Sequence, residues 1–425
     1  MLQTLRNAWR IEEIRKKILF TLLIVLLYRI GNAIPVPFVN TALLQQYFAY
    51  LQNTALGLLD AMSGGSFSNA TIFALSIQPY INASIIIQLL CIAIPALERM
   101  SKEEGEEGRK KIASITRYST VAIGLLQGFG YYMLMKNNGI IVADAQSSVW
   151  AAIVIILTFT SGSALIMWLG EQITEFGIGN GISIILFASI ISRFPNSVIT
   201  TIQNVINGSL TWWAAVLVFL GALALIVLIV FVNDAERRIP VQYAKRVVGR
   251  KMYGGQSTHL PMKVNMSGVM PIIFASSISS IPATIAAFTG HSNSAWAKTN
   301  TIPYAIIYLL LIIFFAYFYS TIQFNPIEVA NNLKKNGGYI PGFRPGKPTS
   351  EFIQRVLNKI TLFGAIYLGI IAVTPILVSH FSNAAALTGL SLGGTSIIIV
   401  VGVALETVRA IEAQMLMRNY KGFLS

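Results

Sequence analysis

The stretch "LLDAMSGGSFSNATIFALSIQPYINASIIIQLL", from Leu58 to Leu90, changes character halfway along its length. Its second half is apolar enough to cross a lipid bilayer, whereas "DAMSGGSFSN" is too polar and too rich in Gly and Ser to do so. This polar part nevertheless contains a single charged residue, Asp60. The rest of the sequence has to explain why a small, nearly uncharged segment stands directly before a membrane helix.

The composition is that of a protein embedded in a membrane. Of the 425 residues, 54% are hydrophobic and 11% are charged, whereas a soluble domain carries about 25% charged residues. The net charge of +14 indicates basic cytoplasmic loops, contact with anionic lipid and a partner that carries RNA. The single cysteine, Cys91, excludes an intrachain disulfide, and the three histidines lie far apart in sequence. We therefore predict no metal site and no cofactor.

Ten apolar windows are long enough to cross about 30 Å of hydrocarbon. They fall near residues 18–34, 71–95, 112–135, 149–169, 180–194, 212–232, 266–289, 302–323, 358–380 and 393–416. Lys and Arg are concentrated in the N-terminal tail and in the loops after the second, sixth and eighth windows. The positive-inside rule therefore predicts that both termini and the two long basic loops are cytoplasmic. "PVP", rather than a small-residue cleavage site, follows the first window, so we interpret that window as a retained helix.

Few ionisable residues lie inside the windows. Arg29 is near the outer end of the first window, where its side chain is expected to reach the interface. Glu406 and Arg409 are one helical turn apart, which predicts a local ion pair. Ion-coupled carriers usually keep acidic or His side chains near the bilayer midplane. This pattern therefore disfavours an ion-driven carrier.

Two glycine-containing motifs resemble nucleotide-binding loops but lack essential features. Pro341, directly before "GFRPGKPT", stands where a phosphate loop needs Gly, and Pro348 within it stands where that loop needs a hydroxyl residue. In "GIGNG", from Gly177 to Gly181, the glycine spacing is wrong and no βαβ unit surrounds it. No motif indicates an enzyme, so energy for any vectorial work has to come from a partner. The long basic loops mix aromatic residues with Arg and favour docking of an acidic protein or an RNA over a merely solvated surface.

Four long segments resemble one known family in the same order along the chain. They are "SGGSFSNATIFALSIQPYINASIIIQL", "MWLGEQITEFGIGNGISI", "YAKRVVGRKMYGGQSTHLPMKVNMSGVMP" and "FNPIEVANNLKKNGGYIPGFRPGKPT". These segments resemble the SecY family, the channel subunits of bacterial protein-export translocases, and the likeness covers essentially the whole chain.

The resemblance implies an all-α polytopic fold of ten transmembrane helices in two inverted pseudo-symmetric halves that form a clamshell. It implies a cytoplasmic segment (1–17), an N-terminal half (18–195), an external hinge (196–211), a C-terminal half (212–418) and a tail (419–425). The C-terminal half would carry the cytoplasmic loops 233–265 and 324–357.

The resemblance also implies a sealed, hourglass-shaped pore. Its waist would be an aliphatic ring that excludes ions by dewetting, formed by Ile77, Ile81, Ile182, Leu186, Ile273 and Ile399. A plug at about residues 57–68, called the plug segment below, would close the external funnel. Its predicted contributors are Leu59, Met62, Ser63, Gly64, Gly65 and Phe67. The Gly and Ser content predicts a loosely packed, displaceable segment.

Two further sets of residues follow from the resemblance. A lateral gate, through which a signal sequence would reach the lipid, would contain the uncharged amides of Gln88, Gln127 and Asn265. From the residues alone, such amides are more often local interhelical hydrogen-bonding groups. Docking of the cytosolic partner, the motor ATPase SecA or the ribosome, would use Arg344, Arg237, Arg238, Lys245, Arg246, Arg250 and Lys251.

These expectations describe a passive channel in the plasma membrane that translocates unfolded preproteins and releases transmembrane segments sideways. SecE-like and SecG-like subunits, preproteins with signal peptides and membrane lipids are the further partners that the family implies. Two other classes of function stay open on the residues alone. A small-solute transporter is disfavoured by the long basic loops, and an insertion factor without a pore differs in lacking a conductance.

Overall fold

The computed structural model describes residues 2–50, 55–102, 104–143, 148–208, 211–243, 246–248, 251–253, 257–288, 301–381 and 394–421. The N-terminal part of this chain forms helices α1 Leu2–Arg10, α2 Glu12–Gly31, α3 Thr41–Tyr50, α4 Ala55–Met62, α5 Gln78–Ala93, α6 Pro95–Lys102, α7 Gly105–Asn137, α8 Val149–Phe176, α9 Gly181–Ile191 and α10 Phe194–Ile206. The C-terminal part forms helices α11 Trp212–Asp234, α12 Met270–Phe288, α13 Ile302–Gln323, α14 Pro326–Lys335, α15 Lys347–Phe381 and α16 Gly394–Lys421.

Each of the ten predicted windows coincides with a helix, namely α2, α5, α7, α8, α9, α11, α12, α13, α15 and α16. Within the described residues, five helical stretches are long and apolar enough to cross a membrane. They are Val149–Phe176, Gly181–Ile206, Trp212–Asp234, Ile302–Lys335 and Lys347–Leu377. Two shorter apolar helices, Gln78–Ala93 and Met270–Pro282, occupy further windows.

The second membrane helix begins later than its hydropathy predicts. The apolar window starts near residue 71, but α5 starts at Gln78. Residues 72–77 form turns instead, and the backbone has positive φ at Ala70 (43°) and Ser76 (50°). Pro79 then stands in the first turn of the helix, where its missing N–H costs nothing. The chain therefore bends sharply immediately before the helix that carries Ile81.

Helices α8 and α9 pack closely because of one glycine. A Cβ atom on Gly181 would lie 1.9 Å from the carbonyl oxygen of Gly170, so no other residue fits without a shift of the backbone. Asn180 caps α9 by accepting from the amide nitrogens of Ile182 (3.1 Å) and Ser183 (3.3 Å). The "GIGNG" motif thus makes a helix start that holds Ile182 and Leu186 against the centre of the protein.

The two long basic loops also contain strands, which the all-α prediction omits. These are β1 Glu236–Tyr243, β2 Arg246–Val248, β3 Lys251–Tyr253, β4 Ser257–Lys263 and β5 Gly338–Tyr339. Strand β1 pairs antiparallel with β4 and with β5, so one sheet of order β4-β1-β5 joins both loops. Ile239, Met262, Ile340 and Leu357 are buried in a cluster beside this sheet. The helical prediction holds for the membrane part, and the loops add an ordered β element.

Two apolar clusters fill the membrane part of the described chain. The larger one, called the central cluster here, takes side chains from both halves, including α2, α5, α9, α12, α13, α15 and α16. The second cluster lies within the N-terminal half and contains Phe67, Tyr131 and Phe159. By contrast, most apolar side chains of α11 are exposed, as expected for a helix that faces lipid.

Candidate functional site

The six residues predicted for the waist come together in the central cluster. Ile77, Ile81, Leu186, Ile273 and Ile399 are each at most 4% exposed. Ile182 is partly buried and packs against the same cluster. The six come from α9, α12, α16 and the start of α5, and therefore from both halves of the chain. All six side chains are aliphatic and offer no ligands to a hydrated ion.

The plug segment lies between the two clusters. Its helical part, α4, ends at Met62, whose side chain belongs to the central cluster. Phe67 belongs to the second cluster, where its ring stacks on that of Tyr131 with 4.2 Å between centroids. Leu59 packs on the same second cluster. The Tyr131 hydroxyl also donates to the carbonyl oxygen of Phe67.

The plug segment is tightly packed, contrary to the loose packing predicted from its Gly and Ser content. The Ser63 hydroxyl donates to the carbonyl of Asp60 at 3.0 Å, and the Ser66 hydroxyl donates to that of Ser63 at 2.9 Å. These small polar side chains satisfy the backbone locally instead of exposing it to water. Gly64, with φ +73°, brings the segment so close to α9 that a Cβ atom would lie 2.7 Å from the Ser189 carbonyl oxygen. The Gly- and Ser-rich plug segment therefore forms a compact turn.

The one charge of the plug segment has a partner that the sequence analysis missed. Asp60 is buried, and its carboxylate accepts from the Arg193 guanidinium at 2.6 Å. Arg193 lies between α9 and α10. The two residues are 133 positions apart in sequence, so spacing gives no indication of their contact.

The three amides predicted for the lateral gate are not joined to one another. The Gln88 side chain donates to the Ser84 hydroxyl of its own helix at 3.1 Å, and Gln127 is half-buried on α7. Asn265 donates to the Asn233 side chain at 2.9 Å and so links the end of α11 to the segment before α12. Asn265 therefore makes a contact between elements of the kind that the residue type favoured, whereas Gln88 bonds within its own helix.

A different amide connects the two halves. The Gln78 side chain, at the start of α5, donates to the Ser277 hydroxyl of α12 at 3.0 Å. Both residues lie next to the waist, one residue after Ile77 and four after Ile273. The available sequence signal was a polar side chain beside a predicted waist residue at a helix start. Among the described residues, the Gln78–Ser277 bond is a polar contact across the predicted gate.

A group of charged side chains links the end of α11 to α16. Arg409 pairs with Asp234 at 2.5 Å and donates to the carbonyl of Asn233 at 3.0 Å, so its expected pairing with Glu406 is wrong. The cation thereby reaches the C-terminal end of α11, where positive charge is favourable. Burial, and secondarily the charge of Arg409, lowers the pKa of Lys263 nearby.

The predicted docking arginines that the structure describes lie on the two long basic loops. Arg344 is exposed on the turn after β5, which is held by stacking of Phe343 on Phe352 at 4.2 Å. Arg237 and Arg238 are exposed on β1, and Arg238 pairs with Glu236 at 2.7 Å. Of the other predicted positions, Lys245 and Arg250 lie outside the described residues. Only the backbone is described for Arg246 in β2 and Lys251 in β3.

Comparisons with known proteins agree with this architecture. The sequence model of the SecY family matches residues 71–408. The protein translocase subunit SecY of Streptomyces scabiei is 45% identical over 442 residues, and the alignment covers 100% of both chains.

Solved structures with the same fold are more distant in sequence. One, described as the structure of a protein conducting channel, has a TM-score of 0.67 at 17% identity and covers 95% of this chain and 93% of its own. A second, which concerns the SecY plug domain as a stabiliser of the closed channel and of the membrane seal, has a TM-score of 0.66 at 16% identity, with coverages of 95% and 92%. Sec61 in the canine ribosome-channel complex has a TM-score of 0.64 at 16% identity, with coverages of 95% and 93%. The chain belongs to the SecY family, because the family model matches most of it and a translocase subunit is 45% identical to it over the full length of both.

Proposed function

We propose that this chain is the protein-conducting channel subunit of a protein translocase and not an enzyme. It is a multi-pass membrane protein, and its relatives are translocase subunits. The observation that carries the proposal is the arrangement at its centre. Six aliphatic side chains from both halves meet in one cluster, and a compact segment that does not span the membrane packs beside them.

The aliphatic waist is the ion barrier of the resting channel. Its side chains form a narrow apolar constriction, which water and ions leave by dewetting. An unfolded polypeptide can pass because Ile and Leu side chains change rotamer and close around it without specific recognition. The plug segment provides a second barrier, with Met62 in the central cluster.

The lateral gate is the seam between α5 and α12. The hydrogen bond from Gln78 to Ser277 holds this seam in the resting state. Interhelical hydrogen bonds in membranes contribute about 0.6 kcal/mol on average, so a hydrophobic signal sequence can replace this contact. We propose that Gln88 and Gln127 line the opened seam, and that Asn265 acts from the cytoplasmic end of the C-terminal half.

The cytoplasmic loops form the docking surface for the partner that drives transport. The sheet β4-β1-β5 joins both loops into one body, which presents Arg237, Arg238 and Arg344 to the cytoplasm. We propose the motor ATPase SecA for finished preproteins and the ribosome for nascent ones. SecE-like and SecG-like subunits complete the complex in the plasma membrane, with both termini cytoplasmic. Contact with ribosomal RNA should weaken as the salt concentration rises.

Planar-bilayer recording tests the channel against both alternatives. Purified wild-type complex should be nearly silent, whereas a variant that lacks residues 58–68 should show a resting ion conductance of large amplitude. A small-solute transporter would instead accumulate solute in liposomes without such a conductance, and an insertion factor would show neither. Silence of the deletion variant, when the same preparation is folded and inserted, would overturn the proposal.

A further inference from the structure

Two isolated charged residues form an ion pair on the external side of the N-terminal half. Asp60 is the only charged residue between Arg29 and Glu98, and Arg193 is the only one between Glu175 and Asp234. The terminal nitrogen Nη2 of Arg193 nevertheless lies 2.6 Å from Oδ2 of Asp60. In such charge-poor stretches, this contact is not a chance pairing on a charged surface.

The Asp60 carboxylate makes two contacts at once. Its side chain is 7% exposed. Oδ1 accepts a hydrogen bond from the Ser68 backbone nitrogen at 2.8 Å, and Oδ2 accepts one from the Arg193 guanidinium. One oxygen therefore closes the turn of the plug segment, and the other binds that turn to a second element. A carboxylate at this depth is stable only while both partners are present, because an unpaired buried charge costs several kcal/mol.

The guanidinium belongs to the same element as two waist residues. Arg193 follows the end of α9, the helix that carries Ile182 and Leu186. The turn of the plug segment touches this end of α9 at Gly64, which faces the Ser189 carbonyl. It also touches at Gly65, where an ideal Cβ atom would be 3.7 Å from Nε of Arg193. Helix α9 thus supports the waist at one end and the plug segment at the other.

We propose that Arg193 is a positioning residue that latches the plug segment, through Asp60, to the external end of α9. The inference rests on the proposed function and specifies what keeps the plug seated. Both members of the latch belong to the N-terminal half, whereas Gln78 and Ser277 lie on different halves. Separation of the halves therefore does not by itself break the latch, although Met62 of the plug segment also packs in the central cluster that both halves share.

Thiol labelling measures the seating of the plug segment directly. Cys91 is replaced by Ser, and Met62→Cys places a single thiol at a position that is 6% exposed. A membrane-impermeant maleimide is added from the external side of sealed vesicles. Arg193→Gln and Asp60→Asn should each raise the labelling rate by at least about tenfold, because each leaves a buried polar or charged group without its partner. Asp60→Asn keeps an oxygen that accepts from Ser68, so the turn itself is preserved.

Matched variants separate a latch from general damage. Arg193→Lys keeps the charge and should label at close to the wild-type rate. The double variant Asp60→Asn/Arg193→Gln should label no faster than the faster single variant, since one contact is lost in all three. Lys136→Gln removes an external cation that rests over the Tyr132 ring, 5.9 Å from its centroid, and should have no effect.

Import into vesicles of the opposite orientation, made from the same complexes with the docking loops outward, distinguishes failure of the latch from failure of the proposed function. Unchanged labelling in both single variants, or additive effects in the double variant, would overturn the latch. Preprotein import measured in parallel should be retained in the wild type and in all variants. Absence of import by the wild type would count against the proposed function alone, since the labelling reports the contact independently.

Discussion

Replacement of Gly64 by Ala is expected to unseat the plug segment, and a neighbouring glycine provides the control. Gly64 and Gly65 both have positive φ, of +73° and +87°. An Ala at either position therefore carries a backbone strain of about 1–2 kcal/mol. Only at Gly64 does the new Cβ meet a backbone atom, the Ser189 carbonyl oxygen, at 2.7 Å. At Gly65 the nearest atom is the Arg193 side chain at 3.7 Å, an ordinary contact.

The difference between the two variants isolates the contact with α9. The carbonyl oxygen of Ser189 is part of a helix and cannot turn away, so the plug segment has to retreat from 2.7 Å to an ordinary 3.4 Å separation. Overpacking of this kind costs about 1–3 kcal/mol, and this cost disappears when the plug leaves its seat. The fraction of unseated channels should therefore rise about 5- to 150-fold in Gly64→Ala relative to Gly65→Ala.

Resting ion conductance of single complexes in planar bilayers is the assay for this comparison. Gly64→Ala should open spontaneously far more often than Gly65→Ala, and both should retain preprotein transport. Equal opening frequencies for the two variants would refute the reasoning, because they share the backbone strain and differ in the overlap with α9.

Three further predictions concern the gate, the docking surface and the waist. Ser277→Ala removes the bond from Gln78 and should increase export of preproteins with defective signal sequences by about threefold. Ser276→Ala is the control, because the Ser276 hydroxyl bonds within its own helix at 2.9 Å. Equal effects of the two variants would show that the Gln78–Ser277 bond does not hold the gate. Arg344→Glu should abolish ATP-driven export while the channel stays folded and inserted, whereas Lys347→Glu, at the exposed first residue of α15, should weaken it only slightly. Normal export by the first variant would contradict the role of Arg344. Leu186→Ser should raise the resting conductance of the channel, because it places a hydroxyl in the waist, and an unchanged leak would exclude Leu186 from the seal.

The membrane helices were the part that the sequence predicted best. Apolar runs of bilayer length have few other uses, so the ten windows coincide with ten helices. The exception, the late start of α5, has a local cause. Residues 71–77 are as apolar as a helix, but the positive φ values before Gln78 and the Pro at the helix start divide the run.

The sheet β4-β1-β5 was not predicted, because its strands give a weak signal. Strand β1 contains Pro240, and its buried positions, Ile239 and Val241, are separated by this proline among charged and polar residues. Its partner β4 is Ser257–Lys263, and the third strand, β5, has two residues and comes from the other loop. Pairing across such distances cannot be read from periodicity in one segment.

At the site, too, the residues that form a sequence pattern could be predicted, whereas the long-range contacts could not. The waist residues followed from a family resemblance, and the structure collects all six in one place. The partners Gln78–Ser277 and Asp60–Arg193 are 199 and 133 residues apart. The composition of the plug segment predicted loose packing, since serine and glycine are typical of flexible loops. Their local hydrogen bonds and close approaches give a compact segment instead.

The central claim is that this chain conducts polypeptides and that a partner supplies the energy. Its most direct test is the import of a radiolabelled preprotein into sealed vesicles that contain this chain, a SecE-like subunit and the motor ATPase SecA. The account predicts that ATP makes the preprotein resistant to external protease, and that protection is lost when the vesicles are opened with detergent. Folded, inserted complexes that bind the motor and yet give no ATP-dependent protection would contradict the account.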